Sequence, residues 1–118
     1  MERTVEPELM ERKEQVISYA KGDFSEGEDN LINKINRYLI NNNIYLNEKE
    51  LIVDLGCGPG NISEKLSIKW PKANVVGIDG SKEMIRMAEL NKKNSLNRSR
   101  LKNLRYICAD IKLSLIHI

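Results

Sequence analysis

Three carboxylates and a cluster of glycines stand where a chain could hold a small polar ligand. Asp54 sits inside the apolar run Leu51-Ile-Val-Asp-Leu55, and Gly56, Gly58 and Gly60 follow at once, with Cys57 and Pro59 between them. Asp79 and Asp110 close two later apolar stretches, Val75-Val-Gly-Ile78 and Leu104-Arg-Tyr-Ile-Cys108. Glycine reaches positive φ and lets backbone approach a ligand with no Cβ in the way. A buried strand, a tight glycine turn and a helix N-terminus in succession form the cradle that α/β proteins offer to nucleotide-like ligands. Such ligands bind outside the carboxyl ends of the strands, so the three polar ends converge on one crevice.

The spacing separates the possible ligands. A dinucleotide fingerprint requires G-x-G-x-x-G, but here the third glycine arrives one residue early and Asn61 stands in its place. Asp54 beside the loop repels a pyrophosphate and welcomes a cationic group. No Gly-Lys-Ser or Gly-Lys-Thr follows the loop, which excludes an ATP-binding P-loop. A ligand with a positive amino-acid end and a ribose end fits these residues better.

The elements that must position them can be read from periodicity. Residues 2–24 are highly charged, and Leu9, Val16, Ile17, Tyr19 and Ala20 sketch a first helix, broken by Gly22 and the Ser25-Glu-Gly27 stretch. Leu31, Ile32, Ile35, Leu39 and Ile40 form the apolar stripe of a second helix, which Asn41-Asn-Asn43 ends. Both are expected to be scaffold packed on a sheet face. Leu51–Leu55 is the first strand, and Ile62, Leu66 and Trp70 are the inward face of the next helix, stopped by Pro71. Val75–Ile78 is the second strand, Ser81 an N-cap, and Met84, Ile85 and Ala88 the inner face of a third helix. Residues 91–100 read as a polar, basic connector without periodicity, and Leu104–Cys108 as the third strand. Strands alternating with helices imply a parallel sheet with right-handed crossovers.

The bulk properties narrow the class. At 118 residues the chain is one domain at most, with 41% hydrophobic and 31% charged residues. Nineteen bases against 17 acids leave a net charge of +2, so no strong field points to nucleic acid or an anionic membrane. Cys57 and Cys108 fit no metal-ligand spacing and suit a reducing, cytoplasmic setting, and no metal is expected. No signal peptide or membrane span is visible. Cys57 inside the loop has no basic partner in sight, so it reads as a tolerated small residue rather than a nucleophile. The bases at 92, 93, 98, 100 and 102 lack interleaved aromatics and read as a solvated loop, and Trp70 reads as core.

Three segments together resemble the class I S-adenosylmethionine-dependent methyltransferases. Val53-Asp-Leu-Gly-Cys-Gly-Pro-Gly60 looks like motif I of that family, Val76-Gly-Ile-Asp-Gly-Ser-Lys-Glu-Met84 like its second strand and turn, and Tyr106-Ile-Cys-Ala-Asp110 like its third-strand motif. They occur in family order across roughly residues 50 to 111. The resemblance implies a Rossmann-like α/β fold, a doubly wound sheet of which the first three parallel strands are present behind N-terminal helices. It implies S-adenosyl-L-methionine as cofactor and a small-molecule methyl acceptor. Backbone of the loop at Gly56, Cys57, Gly58 and Gly60 would approach the methionine and ribose parts, and Asp54 would order the methionyl ammonium directly or through water. Asp79 would accept both ribose hydroxyls; Gly80 and Ser81 would flank the adenine, with Met84 as an apolar wall. Asp110 would accept from the adenine amino group, and the Ala109 N–H would serve a ring nitrogen. Each acid also has a plainer reading: Asp54 capping the turn, Asp79 in an Asx-turn, Asp110 starting a turn. All three coinciding at successive strand ends favours the ligand site.

The family sheet runs 3-2-1-4-5-7-6, so the chain corresponds to its 3-2-1 half and leaves strand one as an exposed hydrophobic edge. Catalytic residues are expected downstream of Asp110. The final Leu113-Ser-Leu-Ile-His-Ile118 is the translation of CTG TCT CTT ATA CAC ATC, which resembles a transposase mosaic-end adapter. On this basis residues 1–45 are expected to be a helical segment, 46–112 a partial S-adenosylmethionine-binding domain, and 113–118 a non-native tail. His117, the lone histidine, is accordingly not cast as a general base. The alternatives are a non-catalytic S-adenosylmethionine-binding module or inactive truncated product, an aminopropyltransferase, and an NAD-dependent oxidoreductase.

Overall fold

A computed structural model describes residues 25–110. The first helix expected from the sequence and the 113–118 tail lie outside them. The described elements run α1 (Ser25–Asn41), β1 (Leu51–Leu55), α2 (Asn61–Lys69), β2 (Asn74–Asp79), α3 (Lys82–Asn94), a 3-10 turn (Arg98–Arg100) and β3 (Leu104–Cys108).

α1 begins inside the stretch expected to break a helix. Glu26 and Glu28 occupy its first turn, where carboxylates complement the positive end of the helix dipole. Gly27 is exposed with open space around it, so its cost is the roughly 1 kcal/mol of backbone entropy that a helix of this length absorbs. The helix stops where the asparagines stand. Asn43 adopts φ 56°, Ile44 N–H donates to Leu39 O at 2.9 Å, and Asn42 Nδ2 donates to Tyr38 O at 2.8 Å. Its buried stripe is narrower than expected: Ile32 is buried and Leu31 and Ile35 pack on the core, but Ile40 is 62% exposed. α1 packs against α2, and Lys65 of α2 pairs with Glu28 at 3.3 Å and Asp29 at 2.8 Å. These pairs are partly exposed and add little, of order 0–1 kcal/mol. An apolar cleft of about 230 Å³ lies between α1, α2 and β1, lined by residues including Leu31, Ile35, Ile52, Leu66 and Trp70.

The three strands form one parallel sheet in the order β1-β2-β3. β1 is its edge, with Leu51, Val53 and Leu55 59%, 43% and 48% exposed, as the sequence led us to expect. Alternation puts Asp54, Gly77 and Tyr106 side by side in one cross-strand row. Gly77 has to be glycine because of that row. A Cβ there would stand 2.7 Å from the Tyr106 ring and 2.9 Å from Ser63 Oγ.

Two expectations about α2 and α3 change. α2 buries Ser63 and Ser67 as well as Ile62 and Leu66, while Trp70 at its C-cap is only partly buried. Asn103 closes that end, its Nδ2 lying within 3.3 Å of Ser67 O, 3.2 Å of Trp70 O and 2.8 Å of Ala73 O. α3 runs on to Asn94, into the stretch expected to be a connector, and a 3-10 turn follows. Leu101, fully buried, anchors that turn. Its polar residues gave no apolar period because their side chains bond across the molecule: Asn91 to Pro59 O and Lys92 to Leu104 O.

Candidate functional site

The glycine loop is folded against the end of β2. Gly56 and Cys57 N–H both donate to Ile78 O, at 2.7 and 3.0 Å, and Gly60 N–H donates to Cys57 O at 3.1 Å. Gly56, Gly58 and Gly60 take φ of 69°, 56° and 93°, so all three use the left-handed region that the sequence assigned to them. Gly60 occupies the N-cap position of α2 without any side-chain cap. It is doubly constrained, because a Cβ would also stand 2.2 Å from Tyr106 Oη.

Asp79 joins this loop to the next helix. Its Oδ2 accepts from Gly58 N–H at 3.0 Å and its Oδ1 from Ser81 N–H at 2.9 Å. The second bond is the Asx-turn that the plainer reading anticipated. Each oxygen still has a further lone-pair direction, since a carboxylate offers about four acceptor sites. The turn therefore holds Asp79 in place without exhausting it. Ser81 is the N-cap of α3, its Oγ accepting from Met84 N–H at 3.1 Å.

Asp54 is buried on the helix-facing side of β1, where its Oδ2 accepts from Ser63 Oγ at 2.7 Å. Nothing in the sequence marked Ser63. A small hydroxyl in the first turn of the helix, nine residues after an acid in the strand, was the available signal. Tyr106 was likewise read only as a strand residue. Its ring lies under Gly60 and Gly77, its hydroxyl sits 3.5 Å from Gly60 O, and burial, aided by the charge of Glu64, pushes its pKa well above the ordinary value. It is a neutral donor at any physiological pH.

The remaining predicted residues are placed as follows. Gly80 O is 3.7 Å from the Cys108 sulfur, and Met84 is 3% exposed, leaving little of its side chain to act as a wall. Ala109 N–H donates to Asp79 O at 3.1 Å, continuing the sheet ladder. The resemblance paired this N–H with a ring nitrogen of the cofactor; in the structure it is engaged with the Asp79 carbonyl. Asp110 is exposed at the end of the described chain. Cys57 is fully buried and Cys108 exposed. Among the described residues no group of three or more His, Cys, Asp or Glu could hold a metal, and no helix is long and apolar enough to cross a membrane. The strand ends thus bring together a loop of three positive-φ glycines, a carboxylate held by two backbone N–H groups and a capped helix.

Comparison with known proteins bears on the same residues. A family model described as a methyltransferase domain matches residues 52–115, more than half of the chain. The trans-aconitate 2-methyltransferase of Azoarcus sp. is 54% identical over 43 residues, covering 36% of this chain and 17% of that protein. The protein of the same name from Escherichia coli is 40% identical over 67 residues, covering 57% of this chain and 23% of its own length. The chain thus spans less than a quarter of either curated relative. Among solved structures, the bifunctional kinase-methyltransferase WbdD superposes with a TM-score of 0.63 at 20% identity, over 82% of this chain and 19% of that one, which is a likeness of fold.

Proposed function

The chain belongs to the methyltransferase-domain family, and from that premise we propose that its three strand ends bind S-adenosylmethionine as part of a methyltransferase acting on a small-molecule acceptor. The observation that carries this reading is the Asp79 carboxylate, oriented by two backbone N–H groups beside a loop whose three glycines all adopt positive φ.

The residues present suit that cofactor. Asp79 retains lone pairs for a vicinal diol, and its two N–H partners fix it before a ligand arrives, so little ordering entropy remains to be lost. Gly56, Gly58 and Gly60 offer backbone with no side chain, and the Cys57 side chain is buried away from it. Asp54, buried and bonded to Ser63, places a negative charge beneath the loop for the methionyl ammonium, acting through water or through the loop itself. Gly80 and Ser81 would flank the adenine, with Asp110 as acceptor for its amino group, while Met84, almost wholly buried, adds little to that wall. When bound, S-adenosylmethionine supplies a methyl group already activated by its sulfonium, so the chain's own task is to bind, orient and exclude water. The small-molecule acceptor is suggested by the curated relatives, which are trans-aconitate 2-methyltransferases.

Isothermal titration of the purified chain with S-adenosylmethionine and, separately, with NAD tests the assignment. Saturable binding of the first and none of the second is expected. Binding of NAD alone overturns it.

A further inference from the structure

Three positive-φ glycines make the loop locally permissive, so something outside it must hold its shape. One such hold is a side chain 32 residues away: Asn91 Nδ2 donates to Pro59 O at 3.0 Å. That carbonyl belongs to the same planar peptide unit as the Gly60 N–H, and in a trans peptide the two point opposite ways. Fixing the carbonyl therefore aims the N–H, which closes the turn onto Cys57 O at 3.1 Å. The turn of α3 that carries Asn91 is itself tied down. Lys92 Nζ donates to Leu104 O, and the Ser95 N–H donates to Lys92 O at 3.3 Å. Asn91 thus reaches the loop from a helix braced on the sheet.

We propose that Asn91 is a positioning residue of the cofactor site, clamping the Pro59–Gly60 peptide so that the glycine loop holds its ligand-binding shape before the ligand arrives. The inference rests on the reading of the loop given above, and it makes the last turn of α3 part of the site although its side chains bond the carbonyl side of the loop. Alanine at this position keeps the helix, being the best helix former, and removes only the clamp.

The test has two independent arms on the purified chain. The first is amide hydrogen exchange at Gly60 without ligand, comparing the unaltered chain with Asn91→Ala. Exchange about tenfold faster in the variant is expected from loss of one hydrogen bond's worth of protection, and unchanged exchange overturns the clamp. The second is titration with S-adenosylhomocysteine, where Asn91→Ala is expected to bind about tenfold more weakly. Asn91→Asp, which turns an acceptor toward the Pro59 carbonyl, is expected to bind more weakly still. Equal affinities across the three, even with a lowered Tm, overturn the positioning role and leave Asn91 a structural residue. Failure of the unaltered chain to bind S-adenosylhomocysteine sinks the functional reading instead, while the exchange arm still judges the clamp.

Discussion

Replacing Gly60 with alanine is expected to injure the fold twice over, and the two injuries can be separated. At φ 93° an L-residue carries the left-handed penalty, roughly 1–2 kcal/mol. The new Cβ would also stand 2.2 Å from Tyr106 Oη and 2.9 Å from Cζ, against a ring packed between two elements. Overpacking of this kind costs about 1–3 kcal/mol. The expected loss is therefore about 2–5 kcal/mol, a large part of the stability of a small domain. Tyr106→Phe deletes the nearest clashing atom and a long 3.5 Å hydrogen bond, and alone is expected to cost about 1 kcal/mol or less. In the Gly60→Ala background the same change relieves the overlap, so the double variant is expected to be at least about 1 kcal/mol more stable than the sum of the singles. Urea denaturation followed by circular dichroism, with all four chains at one pH, measures the cycle. Strict additivity, within about 0.5 kcal/mol, would refute the contact between the glycine loop and the third strand.

Three further outcomes are expected. Asp79→Asn sets an amide N–H against either the Gly58 or the Ser81 N–H, since both carboxylate oxygens accept from backbone; it is expected to lose about 1–3 kcal/mol of stability and most S-adenosylmethionine binding, and calorimetry showing native affinity would remove Asp79 from the site. Asn103→Ala strips the amide from three carbonyls at the end of α2; a fall of about 1–2 kcal/mol in chemical denaturation is expected, with cofactor affinity little changed. Burial raises the Glu64 carboxyl above its ordinary 4.5, an effect that the nearby Ser95 side chain only partly offsets. The folded chain then binds more protons than the unfolded one just above that pH, so this group's contribution to stability falls as pH rises from 4.5 through the raised value. Glu64→Gln should flatten that part of the pH–stability curve, and identical slopes for the two chains would count against the burial.

The parts of this protein that follow from local pattern were available in its residues alone. The apolar run 51–55 ending in glycines, the N-capping Ser81 and the order of alternating strands and helices all rest on neighbours within a few positions. Backbone sterics and capping act at that range, so the three positive-φ glycines matched expectation, while the β1-β2-β3 order matched the half-sheet that the family resemblance implied. Errors arose where local rules were outvoted. Gly27 was tolerated inside α1 because its surroundings are open solvent, and α3 ran past Asn91 because its polar side chains found partners elsewhere.

What the tertiary structure alone decided is which distant residues hold the fold and its site together. Ser63 beneath Asp54, Tyr106 beneath Gly60 and Gly77, Asn91 on Pro59 and Asn103 on the end of α2 are pairings between elements. No periodicity announces them, since a serine, tyrosine or asparagine has the same propensity whichever partner it finds. They arise only when sheet register sets Asp54, Gly77 and Tyr106 in one row, with the helices crossing above it. The chemistry of the glycine loop and its acids was written in residue type and spacing. Its rigidity depends on side chains from elsewhere in the chain, because a loop of flexible glycines cannot fix its own shape.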